Sequence, residues 1–238
     1  LALRPEIFIQ KSQQGGGSIT LRGFEASRVL MYVDGVRMNN LIYRSGHLQS
    51  VITIDNQSLE SVQVLMGSSS TVYGSDALGG VIHFYTIKPK FYSKNWGSNG
   101  SASIRYGSVN REFTQHADAQ YGNDRWGFAT SITTSSFSDL KSGKNPNPFH
   151  PDGYGLRPYY VQRIDNKDSL VVNPDPYTQK YSGYTQTDFI QKIAFKPNNN
   201  DIHQLNIQVS NSSNIPRYDR LTDPAGNGLD RKSTRLNS

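Results

Sequence analysis

Cysteine is absent from the 238 residues, so neither a disulfide nor a thiolate metal site can be drawn on this sequence. Long apolar runs are missing as well. None approaches the roughly 18 residues that mark a membrane-spanning helix, and Val29–Val33, among the longest, is only strand-sized. Hydrophobic residues make up 35%, little for a packed soluble core. A membrane β-barrel needs apolar side chains only at alternate positions, so low hydropathy does not exclude it. The formal charge is +6, but Lys and Arg are scattered rather than gathered into a patch, and no nucleic-acid partner is expected. There is no G-x-S-x-G elbow, no Walker A loop and no G-x-G-x-x-G turn. His47, His83, His116, His150 and His203 show no i,i+4 or clustered spacing, so no metal site is expected. The reading is of a non-enzyme with no catalytic residues and no cofactor.

What the sequence does have is a Gly- and Ser-rich stretch from Ser58 to Thr86, SLESVQVLMGSSSTVYGSDALGGVIHFYT. Two strand-like runs, Val62–Leu65 and Val81–Tyr85, flank it. Gly67, Gly74, Gly79 and Gly80 permit positive φ and close backbone approach. Ser68, Ser69 and Ser70 are placed to cap a short helix over Thr71–Leu78. The expected local form is strand, short helix, Gly-Gly turn, strand. A nucleophilic role for these serines would need a placed base, and none is evident.

Leu59-Glu60-Ser61-Val62-Gln63-Val64-Leu65-Met66-Gly67, followed by Tyr73-Gly74-Ser75-Asp76-Ala77-Leu78-Gly79-Gly80-Val81-Ile82, resembles the end of the plug domain of TonB-dependent outer-membrane receptors. Upstream, Leu21-Arg22-Gly23-Phe24 and Arg28-Val29-Leu30-Met31-Tyr32-Val33-Asp34-Gly35-Val36 fit the same plug pattern. Three positions depart from it: Met66 stands where Arg is common, Ser68 where Pro is, and Gln63 where Glu is. The close resemblance covers about residues 15–90. It implies a mixed α/β plug followed by the strands of a large antiparallel transmembrane barrel. The plug-motif residues are Arg22, Gly23, Asp34, Gly35, Gly67, Tyr73, Gly74, Ser75, Gly79 and Gly80.

Taken in order, Ile7–Ile9 is a short apolar run and Gly15-Gly16-Gly17 a turn or bridge. Ile19–Arg22 and Val29–Val33 read as strands. Asp34-Gly35 is a tight-turn signal, with Val36–Met38 a short strand beyond it. Asn39–Asp55 reads as a loop with one helical turn at most. Lys88-Pro89-Lys90 closes the first domain, residues 1–90. The second, residues 91–229, changes to long strands of period two. Ala102, Ile104 and Tyr106 alternate with polar residues. So do Phe113, Ala117, Ala119 and Tyr121; Trp126, Phe128 and Ile132; Phe189, Ile193 and Phe195; and Leu205, Ile207 and Val209. A soluble sandwich would alternate in the same way. The connections favour a barrel: short turns at Gly122-Asn123-Asp124 and Pro197–Asp201, against one long aperiodic loop at about 137–183. That loop is rich in Pro and Tyr, which suits either a ligand-facing surface or an inert extracellular one.

The resemblance supplies the expected function: binding of a scarce nutrient (an iron chelate, haem, cobalamin or an oligomer) and its import by plug rearrangement. The partners implied are a TonB-type periplasmic energy-transducing protein, the small-molecule or oligomer substrate, and outer-membrane lipid. The rival readings are a passive porin or structural barrel and a secreted soluble β protein. In the family, plug loops rise toward the outer mouth. Asn39, Asn40, Tyr43, Arg44 and His47 are therefore the candidate substrate-binding residues, offering amides, an aromatic ring, a bidentate guanidinium and an imidazole. Anchoring the plug to the wall is the alternative role for Arg44 and the amides. His116 is expected at a solvated lumen position and His83 as a packed, satisfied imidazole. Asn211-Ser212-Ser213 fits a glycosylation sequon, which carries little meaning in such a protein.

The ends are read as follows. The opening LALRPEIFIQ has no signal-peptide layout, so an export signal and the segment that meets the energising partner are expected upstream. Asp230–Ser238 reads as the in-frame translation of a common sequencing adapter and is expected to be artefact that packs against nothing. Without its three bases and one acid the charge falls from +6 to +4. Five strands cannot close a barrel, so this stretch by itself is expected neither to insert stably nor to transport.

Overall fold

The computed structural model describes residues 7–10, 14–25, 28–38, 53–67, 70–93, 95–145, 148–149, 155–165, 167–215, 224–225 and 228–229. In chain order the strands of the first part are β1 (Ile7–Gln10), β2 (Ser18–Leu21), β3 (Phe24–Glu25), β4 (Val29–Val33), β5 (Val36–Arg37), β6 (Leu59–Met66) and β7 (Gly80–Thr86). A 3-10 turn at Asn56–Ser58 precedes β6, and α1 (Ser70–Tyr73) precedes a 3-10 turn at Ser75–Ala77. The helix expected over Thr71–Leu78 is thus split in two. Gly74, at φ 90° and ψ 179°, lies in a region open essentially to glycine and breaks it. The first expected strand also ends one residue early, because Arg22 (φ 50°) and Gly23 (φ 84°) make the turn into β3.

Two small sheets face each other. One runs β1-β2-β3 and the other β5-β4-β7-β6, with β4 parallel to β7 and β6 antiparallel to it. Strand alternation sends Ile82 and Phe84 to one face of β7, where they meet Ile7, Ile19, Leu21, Val29, Met31, Val33 and Ile54 in the main core. The other face carries Leu30, Val81 and Ala77, with Tyr32 and Tyr73 against them. His83 sits in this second face, stacked between Tyr32 (5.0 Å) and Tyr85 (5.9 Å). It is packed as expected, but its Nε2 has no hydrogen-bond partner among the described residues.

Residues 87–96 lead into the second part. Its sheet has the order β8 (Gly97–Gly107), β9 (Glu112–Gly122), β10 (Trp126–Phe137), β15 (Tyr184–Phe195) and β16 (His203–Ser212), every pair antiparallel. The sheet does not close: β8 and β16 are its edges. The register fixes which side chains share a face. Tyr121 opposes Phe128, Phe128 opposes Ile193, and Ile193 opposes Leu205; Ala117, Ile132, Phe189 and Val209 form a second such row. These side chains are outside, and Ile104, Ile132, Leu205, Ile207 and Val209 are each more than two-fifths exposed. Trp96, Tyr121, Trp126, Phe128 and Phe195 cluster at the end with the short turns, as a lipid-facing band flanked by aromatic rings requires. Within the band, Thr130 Oγ1 donates to Gln191 Oε1 (2.7 Å), and Gln191 Nε2 donates to the carbonyls of Lys192 (3.2 Å) and Ala129 (3.4 Å). The polar pair is satisfied internally, so it can face hydrocarbon.

The long connection between β10 and β15 is not structureless. β12 (Tyr159–Ile164) and β13 (Lys167–Val172) form a hairpin, and β11 (Leu140–Lys141) pairs with β14 (Thr178–Gln179) near its base. Asp165 follows β12 at φ 47°, a conformation that aspartate tolerates. A last two-residue pairing joins β17 (Pro224–Ala225) to β18 (Gly228–Leu229). Asp230–Ser238 lies outside the described residues.

Candidate functional site: the seam between plug and wall

The inward face of the five-stranded sheet is polar and buried. Thr114, His116, Gln120, Ser131, Thr133, Gln186, Asp188 and Lys192 are all at most 9% exposed, and Gln120, Thr133 and Lys192 bond directly to the first part of the chain. Two clusters cross the seam.

The first is built on the Asp34-Gly35 turn. Val33 and Val36 pair across it, and φ of 49° and 84° at the two central residues fits the tight hairpin that joins β4 to β5. That geometry aims the Asp34 carboxylate back at the end of β7. Its Oδ1 accepts from the Thr86 N–H (3.0 Å) and its Oδ2 from the Thr86 hydroxyl (2.7 Å). From the wall, Lys192 Nζ reaches Oδ2 at 2.8 Å and Asn206 Nδ2 donates to it at 3.3 Å. Lys192 is 1% exposed; its ammonium also donates to the Thr86 carbonyl at 3.4 Å. An ammonium taken out of water costs several kcal/mol unless paired, so this lysine ties β15 to the turn.

The second cluster is built on Asp55. Its Oδ1 caps the 3-10 turn by accepting from the Gln57 N–H (3.0 Å), leaving Oδ2 for the wall. Thr133 Oγ1 donates to that oxygen at 2.6 Å, and His116 Nδ1 bonds Thr133 Oγ1 at 2.8 Å. His116 Nε2 faces Asp118 Oδ2 at 3.4 Å, and Ser101 hydrogen-bonds the same carboxylate. His116, expected to be solvated, is therefore only 7% exposed and bonded toward the plug. The lumen side of this strand is filled rather than wet. Beside it Asp188 accepts from Gln186 and Ser210.

Single contacts extend the seam. Gln208 Nε2 donates to the Thr53 carbonyl (3.4 Å) and Gln120 Nε2 to that of Lys88 (3.1 Å). The linker passes close over the paired Gly122 and Gly127: a Cβ on Gly122 would fall 2.5 Å from the Lys90 carbonyl oxygen.

Of the plug-motif residues, Asp34 and Gly35 make the first cluster. Tyr73 packs at the edge of His83 (5.6 Å). Gly79 lies so near Phe24 that a Cβ would meet that side chain at 2.4 Å. Asp76 beside Ser75 pairs with Arg37, fastening the 3-10 turn to β5. Asn39, Asn40, Tyr43, Arg44 and His47 lie outside the described residues. Lys192, Asp55, Thr133 and Asn206 were not singled out from sequence, although a lysine at mid-strand between inward-facing Ile190 and Ala194 is the kind of signal that could have been followed. Among the described residues no group of three or more His, Asp or Glu is arranged to hold a metal ion.

Residues 1–81 match the family model "TonB-dependent Receptor Plug Domain". The first 81 residues therefore carry the plug domain of the TonB-dependent receptors. It is 27% identical over 237 residues to the vitamin B12 transporter BtuB of Vibrio vulnificus, a match covering 87% of this chain and 35% of that protein. It is 28% identical to lactoferrin-binding protein A of Neisseria meningitidis serogroup B, over 50% of this chain and 14% of that one. Among solved structures, the copper transporter OprC superposes with a TM-score of 0.67 at 17% identity, over 89% of this chain and 28% of that one. The pyoverdine receptor FpvA of Pseudomonas aeruginosa gives 0.56 at 14% identity, over 87% and 24%. The chain spans about a third of the B12 transporter's length. The fold is a plug lying against the first antiparallel strands of an unclosed barrel, and the TonB-dependent receptor resides in the outer membrane.

Proposed function

We propose that the receptor to which this chain belongs imports a scarce nutrient by binding it outside and shifting the plug, with energy relayed by a TonB-type periplasmic partner. The substrate class is an iron chelate, haem, cobalamin or an oligomer, in keeping with the relatives named for B12, lactoferrin, copper and pyoverdine. The work is binding and gating rather than catalysis. Residues 1–90 act as the plug and residues 91–229 as the opening wall strands. Asn39, Asn40, Tyr43, Arg44 and His47 contact the substrate.

The supporting observation is the seam. Plug and wall meet through an ion pair and side-chain hydrogen bonds such as Asp34–Lys192 and Thr133–Asp55. Each typical hydrogen bond contributes a net of only about 0.5–1.5 kcal/mol because water replaces it. An apolar seam would instead cost about 25 cal/mol for every Å2 wetted. A polar seam can therefore open in small steps and reclose.

The test expresses the full-length receptor in a receptor-deficient strain and measures growth on ferric chelates, haem and cobalamin, with and without the inner-membrane energy coupling. Rescue on one source that is lost with the coupling is expected. Rescue that persists without it would establish the passive-porin reading instead.

A further inference from the structure

Beyond the outer end of the wall, where the β8–β9 turn meets the base of the long loop, lies a cavity of about 270 Å3. Arg111, Lys141 and Lys180 line it together with Asp139, Asp175 and Thr178. The two carboxylates accept hydrogen bonds from within the loop. Asp139 Oδ1 accepts from the N–H groups of Ser182 (2.8 Å) and Gly183 (3.1 Å). Asp175 accepts from the Thr178 hydroxyl (2.7 Å) and the Tyr177 N–H (3.3 Å). Among the described residues none of the three cations has a carboxylate within ion-pair distance. Lys141 lies near enough to Asp175 to act on its charge, and three cations against two carboxylates leave an excess of positive charge around a volume several times the roughly 30 Å3 share of a water molecule. Its height also matters. Arg111 is two residues from Phe113, whose exposed ring stands at the outer end of the apolar band opposite Tyr106. The cavity lies just past that end, and in membrane barrels the aromatic rings flanking the apolar band mark the interface level.

We propose that this cavity binds a phosphate-class oxyanion, supplied either by a lipid headgroup of the outer leaflet or by a soluble phosphorylated ligand. Arg111 offers a planar fork and the two lysines compact point charges, a mixture suited to a tetrahedral oxyanion. Each cation near such a surface contributes about fivefold in affinity.

The test titrates the full-length receptor, in neutral detergent, with inorganic phosphate and with short-chain phosphatidic acid below its micelle concentration, by calorimetry. Saturable binding at one site per receptor is expected. R111Q/K141Q/K180Q should weaken it on the order of 100-fold, whereas Arg125→Gln, at the opposite rim, should leave it unchanged. Asp175→Asn removes a negative charge while its amide oxygen still accepts from the Tyr177 N–H and its amide nitrogen can donate to the Thr178 hydroxyl oxygen; it should tighten binding about fivefold. Phosphatidic acid binding about tenfold or more above inorganic phosphate identifies the lipid source; equal affinities identify the soluble one. Absence of saturable binding by both probes overturns the proposal, as does equal loss in Arg125→Gln. Should the triple variant fail to fold, unchanged or weaker binding by Asp175→Asn overturns it as well.

Discussion

Removing either partner of the Asp34–Lys192 pair should loosen the plug, and the two removals should differ in size. Asp34→Asn suits the turn, because Asn tolerates the φ of 49° found there. Its amide oxygen can still accept from the Thr86 N–H. What it removes is, among the described residues, the only carboxylate bonded to Lys192, whose ammonium would be left, 1% exposed, with the Thr86 carbonyl as its one partner among them. That is a buried uncompensated charge, and the expected loss is about 3–5 kcal/mol. Lys192→Met keeps most of the stem volume and leaves Asp34 with three donors: the Thr86 N–H, the Thr86 hydroxyl and the Asn206 amide. The loss there should be smaller, about 2 kcal/mol. The double variant replaces a charged pair by a neutral one, so the two losses should not add. A coupling of roughly 1–3 kcal/mol is expected. The assay is amide exchange by mass spectrometry on peptides covering β4 and β7, in the full-length receptor. The reasoning fails if Asp34→Asn costs under about 1 kcal/mol, or if the double variant loses the sum of the singles.

Four further outcomes are expected. Ile207→Arg or Phe128→Arg should cost about 2–4 kcal/mol of barrel stability near the bilayer midplane, while Gln208→Arg on the inward face is far milder; equal damage in detergent-to-bilayer refolding would reverse the face assignment. Gln191→Leu leaves only the Thr130 hydroxyl, which can turn to a backbone carbonyl, so refolding stability should change by less than about 1 kcal/mol. Gly122→Ala drives a Cβ to 2.5 Å from the Lys90 and Trp126 carbonyl oxygens and should cost about 1–3 kcal/mol in the same refolding measurement. The Thr178 hydroxyl, helped by the Tyr177 N–H, Lys141 and Lys144, holds the Asp175 carboxyl below its usual 3.8; the turn should therefore keep its exchange protection above that pH and lose it only as pH falls further.

The plug was legible because its signals are local. Val29–Val33 is a strand from end to end, and Asp34-Gly35 is the turn that Asp-Gly between two apolar runs announces. The outward face of the wall was legible for a similar reason: Trp126, Phe128 and Ile132 repeat every second residue, and period two is a property of one strand. The helix after Ser68 was misjudged because propensity said nothing of the single backbone conformation at Gly74. The β12–β13 hairpin was missed although Asp165-Asn166 marks its turn, because Tyr159–Ile164 is not cleanly alternating.

The seam could not have been read in the same way. Its members come from Asp34, Asp55, Thr86, Thr133, Lys192 and Asn206, brought together only when the wall wraps the plug. On sequence, a polar inward face on β9, β10 and β15 is what a water-filled lumen would also require, so His116 was assigned to water. The two cases differ in one respect. A wet lumen tolerates any polar residue at these positions, whereas a filled one needs donors matched to acceptors across the gap. Lys192, 1% exposed and paired with Asp34, belongs to the second case. Kept from water between the inward-facing Ile190 and Ala194, its ammonium would be a buried unpaired charge without Asp34 opposite. The turn that aims Asp34 and the strand that carries Lys192 are 158 residues apart in sequence, so a substitution at one changes what the other can be. That dependence makes the seam a property of the assembled plug and wall rather than of either part.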